Sequence, residues 1–311
     1  MTGYEALRTH AAWLDLSTRG KIRVTGEDRA RLLHAMSTND VNHLAPGHGL
    51  YAFFLNDKGR ILADANIYNL GDSLFLDTEP EIATKLRDHL DRYIIADDAE
   101  LSDETHSWAV IDLSGPNRLE LASELGIPVS ESDYGIRDWG RGFVIRLNSV
   151  RLFLPADAKQ VDAKQEFLSR LESAHIPQAS AEDARIVRIE NGIPRYGEEI
   201  TERYLVQETG LQHAVHFHKG CYLGQEIVER VRSRGQVHRA LRPVRIEAVD
   251  PPMPGAKLSA DGKDVAEIAS AVYSPALGAI AALAYVRTEA AESKPDLVVT
   301  GSDPPIHAKL L

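Results

Sequence analysis

The chain has 311 residues, more than the about 50 to 250 of a usual domain, so two or three domains are expected. Hydrophobic residues make up 43% and charged residues 26%, with 22 Gly and 15 Pro, which excludes a disordered or collagen-like chain. A net charge of -11 argues against broad nonspecific binding to a phosphate backbone, and one cysteine excludes an intramolecular disulfide or a zinc site of several thiolates.

In chain order, Met1 to Ser17 lacks the basic, apolar and small-residue order of a secretory leader. Ile22 to Gly26 is a short β-branched strand, and Asp28 to Met36 places Leu32, Leu33 and Met36 at helical spacing. Strands at Gly49 to Asn56 and Arg60 to Asn69 follow, joined at Asp57-Lys58-Gly59, whose glycine suits a tight turn. Ser73 to Asp77 reads as a strand, and a helix from Pro80 carries Ile82, Leu86, Leu90 and Ile94 on one stripe. The order then recurs: strand Trp108 to Leu113, helix Arg118 to Leu125, strands Gly142 to Leu147 and Val150 to Leu154, and helix Val161 to Ala174. Ser73-Leu74-Phe75-Leu76-Asp77 echoes Val150-Arg151-Leu152-Phe153-Leu154-Pro155, so two related, duplicated α+β units of ferredoxin-like type are expected. No strand-GxGxxG-helix segment marks a parallel nucleotide-binding sheet.

From about Arg242, short apolar runs broken by Pro251-Pro252, Pro254-Gly255, Asp261-Gly262 and Pro304-Pro305 suit a small antiparallel β-barrel. The expected domains are residues 1–104, 105–235 and 240–311. Ala279 to Val286, the most apolar run, is too short to span a bilayer, so no membrane partner and a cytoplasmic location are expected.

The most unusual run is Lys219-Gly220-Cys221-Tyr222-Leu223-Gly224-Gln225-Glu226, ahead of a short helix. A thiol there sees the positive end of the backbone dipole, and Lys219 adds favourable charge, so a reactive thiolate is one reading. A small buried cysteine at a loop–helix junction is the other. Gly220 and Gly224 let the chain turn tightly, and Gln225 and Glu226 fall in the first helical turn. Arg230, Arg232, Arg234, His238, Arg239, Arg242 and Arg245 then concentrate positive charge. They suit an anionic ligand tail or an acidic partner, or form a solvated face balanced by Glu226, Glu229 and Glu247. Without interleaved aromatics, direct nucleic-acid binding is not expected. His213, His216 and His218 have spacing too weak for a stable metal site with Cys221, and no metal is assigned.

Lys219 to Glu226 resembles the K-G-C-Y-x-G-Q-E signature of the YgfZ family, folate-binding relatives of the glycine-cleavage T-protein (aminomethyltransferase, GcvT) and of a mitochondrial iron–sulfur assembly factor. The similarity extends through Val24 to Arg29, Ser37 to Asp40, Tyr51 to Asn56, Gly59 to Leu62, Arg188 to Pro194, Gly197 to Ile200 and Tyr273 to Gly278. The resemblance implies three subdomains around a central channel that holds tetrahydrofolate or a one-carbon derivative. It implies Glu190 as the pteridine ligand, with Asn39 and Asp64 as further candidates, and a carboxylate does match the side-by-side N–H and amino groups of that ring edge. Glu190 paired with Arg188, or facing solvent, is the structural alternative.

By the same resemblance, T-proteins carry paired aspartates where this chain has Ala63-Asp64, and generally lack the cysteine motif. Those two differences favour a role beside iron–sulfur client or assembly proteins, including radical enzymes that modify tRNA. A folate-dependent aminomethyltransferase or demethylase is the alternative. A scaffold with a vestigial folate pocket is the third.

Overall fold

The computed structural model describes residues 1–156, 163–235 and 237–311, and the chain divides into two compact units. The first unit comprises residues 1–55, 62–184 and 213–223; the second comprises 56–61, 185–212 and 224–311.

The first unit opens with α1 (Gly3–Thr9) and β1 (Ala12–Asp15). Thr2 caps α1 with a reciprocal Thr2–Glu5 capping box. One strand–helix series follows: β2 (Gly20–Thr25), α2 (Arg29–Met36), β3 (His48–Leu55), β4 (Ile61–Asn69), β5 (Leu74–Thr78) and α3 (Ala83–Asp91), with β6 (Glu100–Asp103) after it. The second series is β7 (Trp108–Ser114), α4 (Arg118–Glu124), β8 (Ile136–Trp139), β9 (Gly142–Arg146), β10 (Val150–Pro155) and α5 (Ala163–Ser173). Val161 and Asp162 of the expected Val161–Ala174 helix lie outside the described residues.

The two series build the same antiparallel sheet twice: β3-β4-β5-β2-β6 and β8-β9-β10-β7-β1. The duplication expected from the echo of β5 in β10 is therefore present strand by strand. In each sheet the first strand of the series pairs with the last, β2 with β5 and β7 with β10. The fifth strand comes from opposite ends of the chain order: β6 follows the first series, whereas β1 precedes it yet pairs with β7. Three of these strands, β1, β6 and β8, are only four residues long, too short for periodicity to mark them.

Facing residues of the two sheets share an aromatic core of Tyr68, Phe75, Phe143 and Phe153, with Phe143 stacked on Phe153 at 4.7 Å. Beside it lies a buried ionic network. Asp77 of β5 is fully buried and accepts from Arg19 and from Arg151 of β10. Arg151 also donates to Asp112 of β7 at 2.9 Å, and Arg19 to Glu79. Burial pushes the Asp77 carboxyl up, but the two guanidiniums outweigh it and hold it below its ordinary value.

The second unit takes the tip of the β3–β4 hairpin, most of α6 (Ala181–Glu190), α7 (Gln225–Arg234) and the strands β11 (Arg239–Ile246), β12 (Lys257–Ala260), β13 (Lys263–Ser274), β14 (Ala279–Arg287), β15 (Leu297–Val299) and β16 (His307–Leu310). A short α8 (Thr288–Ser293) lies between β14 and β15. The six strands close in the order β11-β14-β13-β12-β15-β16, the antiparallel barrel the sequence predicts. At the hairpin tip, Gly59 has φ +68°, and a Cβ there would stand 2.7 Å from Ile227 Cβ, so both backbone and space demand glycine. α6 escapes the sequence reading because only Ile189 along it is fully buried, which leaves no clear apolar stripe.

Replacing Asp77 with Ala strips two buried guanidiniums of their shared partner, and a loss of about 3 to 5 kcal/mol in urea unfolding is expected. Because the folded pKa is depressed, the contribution of Asp77 is present above the ordinary value of 3.8 and fades as pH falls through the folded pKa. Acid unfolding that is the same in parent and variant would remove the assignment.

Candidate functional site

Helix α2 ends at Met36, and its last carbonyls have no partner inside the helix. The segment 213–223 supplies the donors. Lys219 Nζ donates to the Ser37 carbonyl at 2.6 Å and to the His34 carbonyl, and Leu223 N–H donates to the Ala35 carbonyl at 3.0 Å. His216 N–H donates to the Thr38 carbonyl at 2.9 Å, and Thr38 Oγ1 donates to the Ala214 carbonyl at 2.5 Å. A cation at the negative end of a helix is also favoured by the backbone dipole.

Lys219 is buried, and its ammonium lies 4.8 Å from the centre of the Tyr222 ring. Burial lowers its pKa to about 8, against a weaker opposing pull from Asp40. The lysine thus does something the sequence does not foretell: its hydrogen bonds close a helix end. Cys221, two residues on, is exposed. That excludes the reading of a small buried cysteine. Gly220 (φ +98°) and Gly224 (φ +81°) both take the left-handed conformation expected of them. Gln225 and Glu226 open α7, where Glu226 takes Arg230 one helical turn on.

Asp64 lies on β4 and is buried, with its Oδ2 accepting from Tyr51 Oη at 2.6 Å. Thr78 Oγ1 holds the Asp64 carbonyl at 2.5 Å. Burial, then the Asp64 charge, pushes the Tyr51 hydroxyl well above its ordinary pKa, so the phenol keeps its proton and the carboxylate accepts. Asn39 belongs to the same neighbourhood: its Nδ2 donates to the carbonyls of Tyr51 (2.9 Å) and His213 (3.0 Å), and its Oδ1 accepts from Asp40 N–H. Both of its donor hydrogens are therefore committed to the backbone.

The neighbouring Ala63 bears on the choice between relatives. Successive strand residues point to opposite faces, so Asp64 shares a face with Asn66 and Tyr68, and Ala63 shares the other with Ala65 and Ile67. An aspartate at 63 would not join Asp64 on one face, so its absence says little about what Asp64 can do.

Glu190 closes α6 in the second unit, where a carboxylate at a helix C-terminus runs against the dipole. Ser274, fully buried at the end of β13, donates to Glu190 Oε1 at 2.5 Å, while its own oxygen accepts Leu277 N–H at 3.1 Å. Arg188 is turned to Glu198 and Glu199. The sequence alternative of a Glu190–Arg188 pair is therefore replaced by a serine that aims the carboxylate. Ser274 sits in a run that carried the resemblance, but nothing in its type announced this contact.

In the basic stretch after the motif, Arg230 pairs with Glu226, Arg232 with Glu229 and Arg245 with Glu247, while Arg239 reaches back to Glu208. Three of the seven basic residues thus pair with the glutamates expected to balance the face, and Gln236 within the stretch lies outside the described residues. Among the described residues no group of three or more His, Cys, Asp and Glu side chains is placed to hold a metal ion. No helix among them is long and apolar enough to cross a membrane.

Residues 2–151 match the GCVT N-terminal domain, and residues 239–311 match the glycine cleavage T-protein C-terminal barrel domain. A probable aminomethyltransferase of Natronomonas pharaonis is 30% identical over 96% of this chain and 85% of its own length. The chain belongs to the glycine cleavage T-protein family. An aminomethyltransferase of Rubrobacter xylanophilus is 29% identical, covering 92% of this chain and 78% of that protein. A putative chloroplastic transferase of Arabidopsis thaliana is 27% identical, covering 93% and 68%. The crystal structure of the glycine cleavage system aminomethyltransferase T from Bartonella henselae superposes with a TM-score of 0.88 over 99% of this chain and 87% of that one, at 18% identity, which shows a shared fold.

The depressed Lys219 pKa sets a pH test. Between about 8 and the ordinary 10.5 the folded chain binds fewer protons here than the unfolded chain, so stability from this site rises with pH. Urea unfolding at two pH values, one near each end of that window, should show the parent gaining about 2 kcal/mol on Lys219→Met. A constant gap would mean that Lys219 titrates normally.

Proposed function

We propose that this protein binds a tetrahydrofolate and presents Cys221 as its working thiol in support of iron–sulfur cluster assembly or repair in client enzymes. The observation that carries the thiol half is the exposed Cys221 on a loop whose lysine is bonded to the end of α2. The client half rests on the resemblance of Lys219 to Glu226 to the YgfZ signature. Family membership supports the folate half.

The residues present fit such a ligand. Glu190 is partly buried, and the buried Ser274 hydroxyl fixes the rotamer of its carboxylate. A carboxylate oriented in this way can accept the adjacent N–H and amino groups of a pteridine edge. In the first unit, Asp64, held by Tyr51, is the alternative carboxylate for a folate ring nitrogen, and Asn39 acts by fixing the Tyr51 backbone in place. Bound folate would supply a carrier for one-carbon units; the chain supplies orientation and charge.

A second reading is folate-dependent aminomethyl transfer centred on Asp64. It is favoured by the names of the relatives and by the facing of Ala63, which weakens the argument from a broken aspartate pair. Two variants separate the readings. Cys221→Ser should abolish rescue of cluster-dependent enzymes in cells lacking their own copy, and neither the parent nor Asp64→Asn should show aminomethyl transfer. Aminomethyl transfer by the pure protein that survives Cys221→Ser and is lost in Asp64→Asn would install the second reading instead.

Calorimetry tests the ligand itself. Glu190→Ala should weaken tetrahydrofolate binding by about 1.5 to 3 kcal/mol, the range for a hydrogen bond to a charged group. Unchanged affinity would move the pteridine elsewhere.

A further inference from the structure

We propose that His34 is a positioning residue for the Cys221 loop, acting with Lys219 as a reciprocal clasp in which each side chain holds the other residue's backbone carbonyl. The inference rests on the reading of Cys221 as the working thiol and adds what keeps that thiol in place.

The geometry runs in both directions. Lys219 Nζ donates to the His34 carbonyl, and His34 Nε2 stands 2.8 Å from the Lys219 carbonyl. A carbonyl cannot donate, so Nε2 must carry the proton. The other ring nitrogen agrees, because Nδ1 receives the N–H of Asn42 at 3.3 Å and is the acceptor of a neutral ring. Burial, then the Lys219 charge, keeps the His34 pKa below its ordinary value and so favours that neutral tautomer. The ionisable groups that face the ring are Lys219, Asp40 at 3.3 Å from Nδ1, and His43, which is bonded to the other Asp40 oxygen at 2.8 Å.

The clasp sits at residue 219 of a segment also tied at His216 and Leu223, so the chain between the ties has little slack. Cys221 lies between Lys219 and Leu223. Gly220 occupies open space, and its φ of +98° is available at no steric cost only to glycine. Left alone, that glycine would loosen the loop; with residues on both sides fixed it sets one turn. Losing either partner leaves a polar group of the other in a buried setting without its mate, which favours opening of the loop.

The sequence holds one cysteine, so a nitroxide attached through it reports on this position alone. In the full-length parent the label should give the electron paramagnetic resonance spectrum of a restrained loop. In His34→Ala and in Lys219→Met its rotational correlation time should shorten about threefold or more, a change of loop motion on the nanosecond scale. His34→Gln, which keeps an N–H donor near the Nε2 position, should restore the restrained spectrum. A residue that merely packs would lower the melting temperature without this pattern of loss and rescue.

Parent-like spectra for both His34→Ala and Lys219→Met overturn the clasp, as does a His34→Gln spectrum as mobile as that of His34→Ala. If His34→Ala does not fold, Lys219→Met and His34→Gln decide the matter between them. Failure of the underlying reading looks different: Cys221→Ser would then rescue cells fully while the label still reports a clasped loop.

Discussion

A helix that stops inside a folded unit must find donors for its last carbonyls, and for α2 those donors come from a segment about 180 residues later in the chain. A lysine is well suited to the task, since one ammonium carries three hydrogens and the charge that a helix C-terminus favours. Its burial is costly, as the lowered pKa records, and the two carbonyls and the Tyr222 ring offset that cost. The arrangement ties the start of the cysteine motif to the end of α2.

The duplicated sheets show how a repeated unit is modified once its two copies meet. Each copy keeps the same strand order, yet the facing residues differ: the first sheet contributes the buried Asp77, and the second contributes Arg151. The Asp77–Arg151 pair joins the two sheets across this seam, and losing either partner would leave the other charge buried and uncompensated. Asp64 lies on the same face of β4 as Tyr68, which joins the aromatic core of that seam. Tyr51 holds the acidic group in a fixed orientation on a strand, a more exact mount than a loop would give.

Much of the architecture was legible because it rests on periodicity. The longer strands, the helices α2 to α5, the duplication and the barrel each bury a regular set of apolar residues. Strands of four residues and a helix with one fully buried side chain leave no such trace. The exposed placement of Cys221 agreed with its company of Lys, Gly and Gln, which is no packing composition. What could not be read was long-range pairing: nothing in a lone His34 on the polar side of a helix foretells a carbonyl 185 residues away. Likewise the part played by Ala63 depends on strand facing, which the letters Ala63-Asp64 do not announce until β4 is placed.

The interleaving of the two units has a consequence during synthesis. The first unit closes only with residues 213–223, after part of the second has already been made. A nascent chain that has emerged only as far as residue 212 holds both sheets but an unfinished α2, with the acceptors of His34, Ala35 and Ser37 left to water. The order of completion is therefore set by the ribosome: the earliest elements to appear must wait for the cysteine loop before the unit they belong to is whole.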